Sequence, residues 1–252
     1  MSKTLLITGG ASGIGAATAR LAGARGYKVA INYRTRDAQA KAVVADIEAK
    51  GGRAIALPGD VAREADIIGM FEETERALGP ITHLVNSAGI STGPGRVDAY
   101  DSAALANLFA VNVIGLMLCC REAAKRMSTE HGGKGGAIVN VSSMAATLGG
   151  RLGSSAYAAS KGAVDAFTKG FAREVAAEGI RVNSLRPGMV LTEMTDARLK
   201  EPAFRAHIES SIPMRRVGEV HEMAGAILYL LSDEASFITG AMLDAAGGGY
   251  VI

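Results

Sequence analysis

The sequence predicts an α/β fold, a doubly wound parallel sheet of about seven strands with helices on both faces, on three observations. Short runs rich in Val, Ile and Leu alternate with longer helical patterns through the first three quarters of the chain, the signature of βαβ units. Gly26, Gly51, Gly79 and Gly179 each follow a helical run and shortly precede an apolar one, where a left-handed residue without a Cβ ends a helix. A glycine-rich junction, Thr8-Gly9-Gly10-Ala11-Ser12-Gly13-Ile14-Gly15, joins the first apolar run to the first helical one.

Taken in order, the apolar strand Thr4 to Thr8 runs into that junction, and the helix Ala16 to Arg25 follows it. Further strands are predicted at Lys28 to Tyr33, Arg53 to Leu57 and Thr82 to Asn86. A long Ala-rich helical segment, Ala103 to Met127, leads to a short buried strand, Ala137 to Val141, and a second Ala-rich helix begins near Tyr157. Arg181 to Leu185 supplies the next strand, and a last one is expected near Ala241 to Asp244. Between Met189 and Val217 the pattern loosens into a long segment with Pro202, Pro213 and two short helical runs; excursions of that length in a compact domain are more often functional than not. No repeat, low-complexity tract or linker interrupts the chain, so a single domain over residues 1–252 is expected.

Composition narrows the function classes. With 48% hydrophobic residues, a chain of 252 can bury a full core. Lys and Arg number 27 against 25 Asp and Glu, and no basic run is interleaved with aromatics, so no nucleic-acid partner is expected. The two cysteines, Cys119 and Cys120, are adjacent in a helical pattern where a disulfide between them would be strained, which favours a reduced, intracellular setting. The N-terminus passes straight into an apolar strand with no room for a signal peptide, and no apolar stretch reads as membrane-spanning; a cytoplasmic protein with no membrane partner is expected. His83, His131, His207 and His221 show no ligand spacing, so no metal site is expected.

Glycines at the first strand-to-helix turn let the backbone approach a pyrophosphate, whose charge is stabilised by the amides and positive dipole end of the helix. A merely flexible turn is the alternative, but its place after the first strand favours a dinucleotide site of the Rossmann type. Tyr157 and Lys161, four residues apart, lie on one helix face, so an ammonium can sit near a phenol. A phenol ionises only near pH ~10 unless a fixed cation favours the phenolate; such a Tyr can exchange a proton with a substrate hydroxyl or carbonyl. The strand Ala137 to Val141 runs into Ser142-Ser143, where a hydroxyl can face the same pocket, which makes a candidate Ser143/Tyr157/Lys161 set. On many helices the same Tyr/Lys spacing is a half-buried ring beside a snorkelling amine, so the pair gains its weight from context.

The spacing Thr-Gly-x-x-x-Gly-x-Gly from Thr8 to Gly15 resembles the short-chain dehydrogenase/reductase family, and the other family motifs follow in order. Gly59-Asp60-Val61 resembles the segment whose Asp contacts the adenine. Asn86-Ser87-Ala88-Gly89 resembles the family's Asn-Asn-Ala-Gly with one replacement; Asn112, then Ser143, then Tyr157-x-x-x-Lys161, complete the catalytic pattern. Pro187-Gly188, Val190 and Thr192 match the segment beside the nicotinamide. Taken singly, Asp60 as a helix cap, Asn86 as a strand-end polar residue and Asn112 as a tolerated helix residue would be structural. His83 where the family often has Asp, and Ala245-Ala246 before Gly247-Gly248, depart from the pattern.

The resemblance implies an oxidoreductase that interconverts a secondary alcohol or sugar hydroxyl and a carbonyl. Tyr157 would be the general acid and base and Ser143 would hydrogen-bond the substrate oxygen. Lys161 would lower the tyrosine pKa and bind the nicotinamide ribose, and Asn112 would hold a water of a proton relay. The implied cofactor-binding set is Gly9, Ser12, Gly13, Ile14, Gly15, Tyr33, Arg34, Asp60, Val61, Asn86, Ala88, Gly89, Tyr157, Lys161, Pro187, Gly188, Val190 and Thr192. Residues 189–217 would form a substrate lid, and the Ala-rich helices would pair subunits into a homotetramer. Within the family the motif set looks like bacterial glucose dehydrogenases and 3-oxoacyl-carrier-protein reductases. Lys134 and Arg173 would serve a carrier protein, but Glu178 stands where such enzymes often carry a basic residue, which favours a small alcohol, sugar or ketone. A non-catalytic dinucleotide sensor and a purely structural subunit are the readings of another class.

For the cofactor, the second strand ends in Asn32-Tyr33-Arg34-Thr35-Arg36, so Tyr33 stands where an acidic residue would bind the adenosine ribose and repel a 2′-phosphate. Arg34 can offer a fork of donors to that phosphate, with Arg36 as a second donor, while Asp37 can pair with either Arg. NADP(H) is the expected preference and use of NAD(H) as well is the alternative.

Overall fold

The computed structural model describes residues 3–249. Seven strands, β1 (Thr4–Thr8), β2 (Lys28–Tyr33), β3 (Arg53–Pro58), β4 (His83–Asn86), β5 (Gly136–Val141), β6 (Ile180–Pro187) and β7 (Met242–Ala245), form one sheet. Every pairing is parallel and the order is β3-β2-β1-β4-β5-β6-β7. The order reverses between β1 and β4, the switch point outside whose carboxyl ends such sheets bind ligands.

Among the described residues the α-helices are α1 (Gly13–Ala24), α2 (Asp37–Glu48), α3 (Glu64–Leu78), α4 (Ser102–Phe109), α5 (Leu116–Met127), α6 (Ala145–Leu148), α7 (Ser155–Val175), α8 (Glu193–Leu199), α9 (Pro202–Ser211) and α10 (Val220–Leu231). Alternation along the strands sends their side chains to two separate cores. Leu5, Ile7, Val29, Ile31, Val85 and Val139 pack with α1, α2 and α10, whereas Leu6, Ala30, Leu84, Ile138 and Val182 pack with α3, α5 and α7. Gly26, Gly51, Gly79 and Gly179 all have positive φ, as the predicted helix ends require.

Differences from the predicted boundaries are small but informative. The first helix begins at Gly13 rather than Ala16, which brings its free amides to the glycine turn. The predicted helix 103–127 is one rod broken by a π-helical turn at Ala110–Gly115. That rod corrects the expectation about apolar stretches. Over Ser102–Met127 its most apolar window has a mean hydropathy of 2.1, long and apolar enough by composition to cross a membrane. Here it packs on the sheet as a core helix, with Cys119, Cys120, Ala123 and Met127 fully buried. Both thiols are free, and burial pushes that of Cys119 up to about 12, so it is inert at neutral pH.

Residues 189–217 carry the two predicted helical runs as α8 and α9, around a small core of Leu199, Ile208, Ile212 and Val217. His83 lies in β4, edge-on to Tyr27, with burial pushing its imidazole down to about 4 and hence neutral. No group of three or more metal-ligating side chains converges among the described residues.

Candidate active site

The carboxyl ends of β1, β2, β3 and β4 are tied together by short polar contacts. Gly10 N donates to the Asn32 carbonyl at 2.9 Å, and the Asn32 side chain accepts from Gly9 N and donates to the Gly59 carbonyl at 2.9 Å. Thr8 Oγ1 accepts from the amides of Ser87 and Ala88 at 3.1 and 3.2 Å. Sequence reading gave neither Asn32 nor Thr8 a role, although Thr8 opens the glycine motif and Asn32 directly precedes Tyr33.

The loop backbones approach so closely that side chains are excluded. A Cβ on Gly9 would lie 2.8 Å from Ala88 Cα, and one on Gly15 would lie 2.4 Å from the Gly9 carbonyl oxygen. Ser12 caps α1 without a side-chain hydrogen bond and the first turn holds no acidic residue, so the amides of Gly13, Ile14 and Gly15 face the turn without a competing carboxylate. A bare glycine backbone at the positive end of a helix fits a dinucleotide pyrophosphate. Thr192, just before α8, lies over this turn: a Cβ on Gly13 would stand 3.7 Å from its side chain.

Between the ends of β2 and β3 and the start of α3, a cleft is lined by Arg34, Leu57, Pro58, Asp60, Asp66 and Met70. Asp60 Oδ1 accepts from Ala62 N, and Oδ2 lies 3.7 Å from Arg34. The Val61 carbonyl is so close to Gly115 that a Cβ there would meet it at 2.2 Å, which locks β3's exit against the π-turn. Two expectations about the basic turn are corrected here. Asp37 pairs with neither Arg; it accepts from the Tyr33 hydroxyl at 2.5 Å and from Lys41 at 2.7 Å, both nearer along the α2 start. Arg36 is engaged by Glu193 of α8, so it is not a free second donor beside Arg34.

Asn112 owes its place to the π-turn, a feature that often marks functional segments. Its side chain accepts from Ile90 N at 2.8 Å and donates to the Ile90 carbonyl at 2.9 Å and to Ser160 Oγ at 3.1 Å. Ser160 in turn donates to the Tyr157 carbonyl at 2.7 Å, so Asn112 fixes the Gly89 loop against the first turn of α7. A Cβ on Gly89 would be 3.6 Å from both Asn112 Oδ1 and Lys161 Nζ. Asn86 is buried and donates to Asn140 Oδ1 at 2.9 Å; Asn140 donates to Thr168 of α7. Its side chain thus ties β4 to β5.

Ser143 follows β5, and Tyr157 and Lys161 share one face of α7. Lys161 Nζ lies 5.8 Å from the Tyr157 ring centroid and donates to the Val141 carbonyl at 2.8 Å. Burial raises the Tyr157 phenol above its ordinary value, against a smaller lowering from the Ser143 hydroxyl. Burial likewise pushes the Lys161 ammonium down to about 8, partly offset by Asp165. The expected lowering of the phenol by the ammonium is therefore not what sets its value here: the amine is turned to a backbone carbonyl, and loss of water dominates both groups. Pro187 and Gly188 sit at the end of β6, where the Pro187 carbonyl accepts from Met144 N and Gly188 N donates to the Ala245 carbonyl. Val190 bridges to Gly218, closing the ends of the segment that holds α8 and α9.

Residues 9–250 match the family model described as enoyl-(acyl carrier protein) reductase. An uncharacterized oxidoreductase of Escherichia coli K12, YgfF, is 46% identical over 96% of this chain and 98% of its own length. The structure superposes on a short-chain type dehydrogenase/reductase from Mycobacterium ulcerans with TM-score 0.91 and 32% identity, covering 99% and 91% of the two chains. The chain belongs to the short-chain dehydrogenase/reductase family. It is an oxidoreductase, and the cofactor of the short-chain dehydrogenases/reductases is NAD(P)(H). Other relatives diverge in substrate: the mouse 3-oxoacyl-[acyl-carrier-protein] reductase is 40% identical over 98% of both chains. The L-rhamnose 1-dehydrogenase (NAD(P)(+)) of a Sphingomonas strain is 37% identical over 99% of this chain and 96% of its own.

Proposed function

We propose that this protein reduces a small ketone or sugar carbonyl, and oxidises the matching secondary alcohol or sugar hydroxyl, with Tyr157 as general acid and base. The observation that carries the reading is the convergence of Ser143, Tyr157 and Lys161 where β5 ends and α7 begins. Tyr157 gives its proton to the substrate oxygen in reduction and recovers it in oxidation. Burial moves the phenol further above neutral pH, so Tyr157 enters the reduction as the protonated acid. Ser143 donates to the same oxygen and stabilises the charge that develops there. Lys161 donates to the cofactor ribose and passes protons towards solvent over a water held beside Asn112. The bound nicotinamide supplies or accepts the hydride.

NADP(H) is the proposed preference. Arg34, with its side chain 55% exposed, offers its guanidinium beside Asp60, and Tyr33 brings no charge to repel a 2′-phosphate. Gly9, Ser12, Gly13, Ile14 and Gly15 hold the pyrophosphate; Asp60, Val61, Asn86, Ala88 and Gly89 line the adenosine side; Pro187, Gly188, Val190 and Thr192 hold the nicotinamide side. We read the chain as one domain with residues 189–217 as its lid, a cytoplasmic homotetramer paired through the 102–127 rod and α7. Ile114, 54% exposed on that rod, is an apolar side chain such pairing would cover.

Similarity to 3-oxoacyl-[acyl-carrier-protein] reductases favours a second reading, carrier-bound acyl substrates, against which Glu178 stands. Tyr157→Phe tests the mechanism. It removes the hydroxyl and keeps the ring, so turnover of carbonyl substrates is expected to fall by about 10³-fold or more, while NADPH affinity stays within about threefold. Retention of most activity refutes the assignment.

A further inference from the structure

Phe204 of the lid lies against two guanidiniums. The central guanidinium carbon of Arg198 is 4.4 Å from its ring centroid and that of Arg151 is 5.2 Å away. The three come from two separate segments. Arg151 sits in the loop between Ser143 and Tyr157, whose Gly150 is packed so closely that a Cβ would lie 3.2 Å from Ala158 Cβ. The same loop accepts at the Gly153 carbonyl from Gly95 N, and so joins the segment that carries Ala88 and Gly89. Arg198 rides on α8, and the Phe204 ring packs on the lid's own core.

Most carboxylates of the lid are paired with other cations, and neither of these two guanidiniums is. On the lid Glu193 pairs with Arg36, Asp196 with Lys200 at 2.6 Å, and Glu209 with Arg205 at 2.9 Å. Glu201 is exposed and forms no ion pair among the described residues. Arg151 and Arg198 likewise have no carboxylate partner among the described residues, although Arg151 is half-buried and the Arg198 charge acts against it. Two like charges on one ring, one of them partly removed from water, are unfavourable alone; a bound anion would relieve both the repulsion and the desolvation.

We infer that the substrate carries a carboxylate at the end remote from its reacting carbon, received by Arg151 and Arg198 beneath the lid. The inference rests on the oxidoreductase reading of Ser143 and Tyr157 and narrows its substrate class to small oxo acids and hydroxy acids. A carrier protein's acidic surface would need several cations spread on the outer rim, whereas here an exposed Arg198 and a half-buried Arg151 both lie against one ring, Phe204, that packs on the lid core.

The test pairs acetoacetate, levulinate and 5-oxohexanoate with their methyl esters, as substrates with NADPH and as ligands in calorimetry. For at least one chain length the acid is expected to exceed its ester by about tenfold or more in kcat/KM. That ratio should fall to about one in Arg151→Gln/Arg198→Gln and return in part in the double Lys variant. Esters equal to acids at every length, a preference for a neutral acyl thioester over every acid, or an acid preference that survives the double Gln substitution would overturn the inference. If no compound is turned over, the oxidoreductase reading of this pocket fails separately. Calorimetry still decides the anion site: tighter binding of acid than ester, lost in the double Gln variant, supports it, and equal binding refutes it.

Discussion

Lys161 is a buried charge, and its cost to the fold is measurable. It is 5% exposed, and burial brings its ammonium from an ordinary 10.5 to about 8. That difference corresponds to about 3 kcal/mol by which the folded protein disfavours the charged amine at neutral pH. Lys161→Met keeps a similar unbranched stem and removes the charge, but leaves the Val141 carbonyl without this donor, a loss of about 1 kcal/mol. The expected net gain is about 2 kcal/mol, or roughly 5 °C in Tm for a chain of this size. The unfolded chain holds the proton up to about pH 10.5 and the folded protein only up to about 8. Below pH 8 both are protonated and the full penalty falls on the fold; between 8 and 10.5 the unfolded state binds more protons, so parent stability rises with pH. Urea unfolding followed by far-UV circular dichroism at pH 7, 9 and 10, at one protein concentration, should show the variant ahead at pH 7 and the gap closing with pH. A variant no more stable than the parent at pH 7, or a gap independent of pH, refutes the account. Turnover by the variant should be lost throughout, which separates what the amine does for chemistry from what it does to stability.

Arg34→Ala is expected to lower kcat/KM for NADP(H) by about tenfold and to leave that for NAD(H) within about twofold; an unchanged ratio, or a parent that prefers NAD(H), removes Arg34 from the 2′-phosphate. Gly15→Ala puts a Cβ 2.4 Å from the Gly9 carbonyl oxygen, so NADPH affinity by fluorescence titration should fall by about tenfold or more. Wild-type affinity there would mean that the loop relaxes without harm. Light scattering at micromolar concentration should report a tetramer, and a monomer would contradict the helix pairing proposed for the 102–127 rod and α7.

Much of this protein is decided within a few residues of each position. Strands buried on both faces read as short apolar runs because a parallel sheet hides both sides, and the helix ends declare themselves because a left-handed residue rarely tolerates a Cβ. The glycine turn and the Tyr157/Lys161 pair are equally local: one turn and one helical spacing suffice to place them. What the sequence could not decide was burial and partner choice, which depend on residues far along the chain. Arg36 meets Glu193, 157 positions away, and Asp37 turns to Tyr33 and Lys41 instead. The apolar rod from 102 to 127 has the composition of a membrane span and becomes a core helix only because the sheet is there to cover one side of it. Asn112 acquires its purpose from a π-turn that no periodicity announces, and the protonation of Tyr157 and Lys161 follows from how much water the assembled fold removes from around them. Local pattern is written in neighbours a turn apart, whereas dielectric environment and charge pairing exist only after distant segments have met.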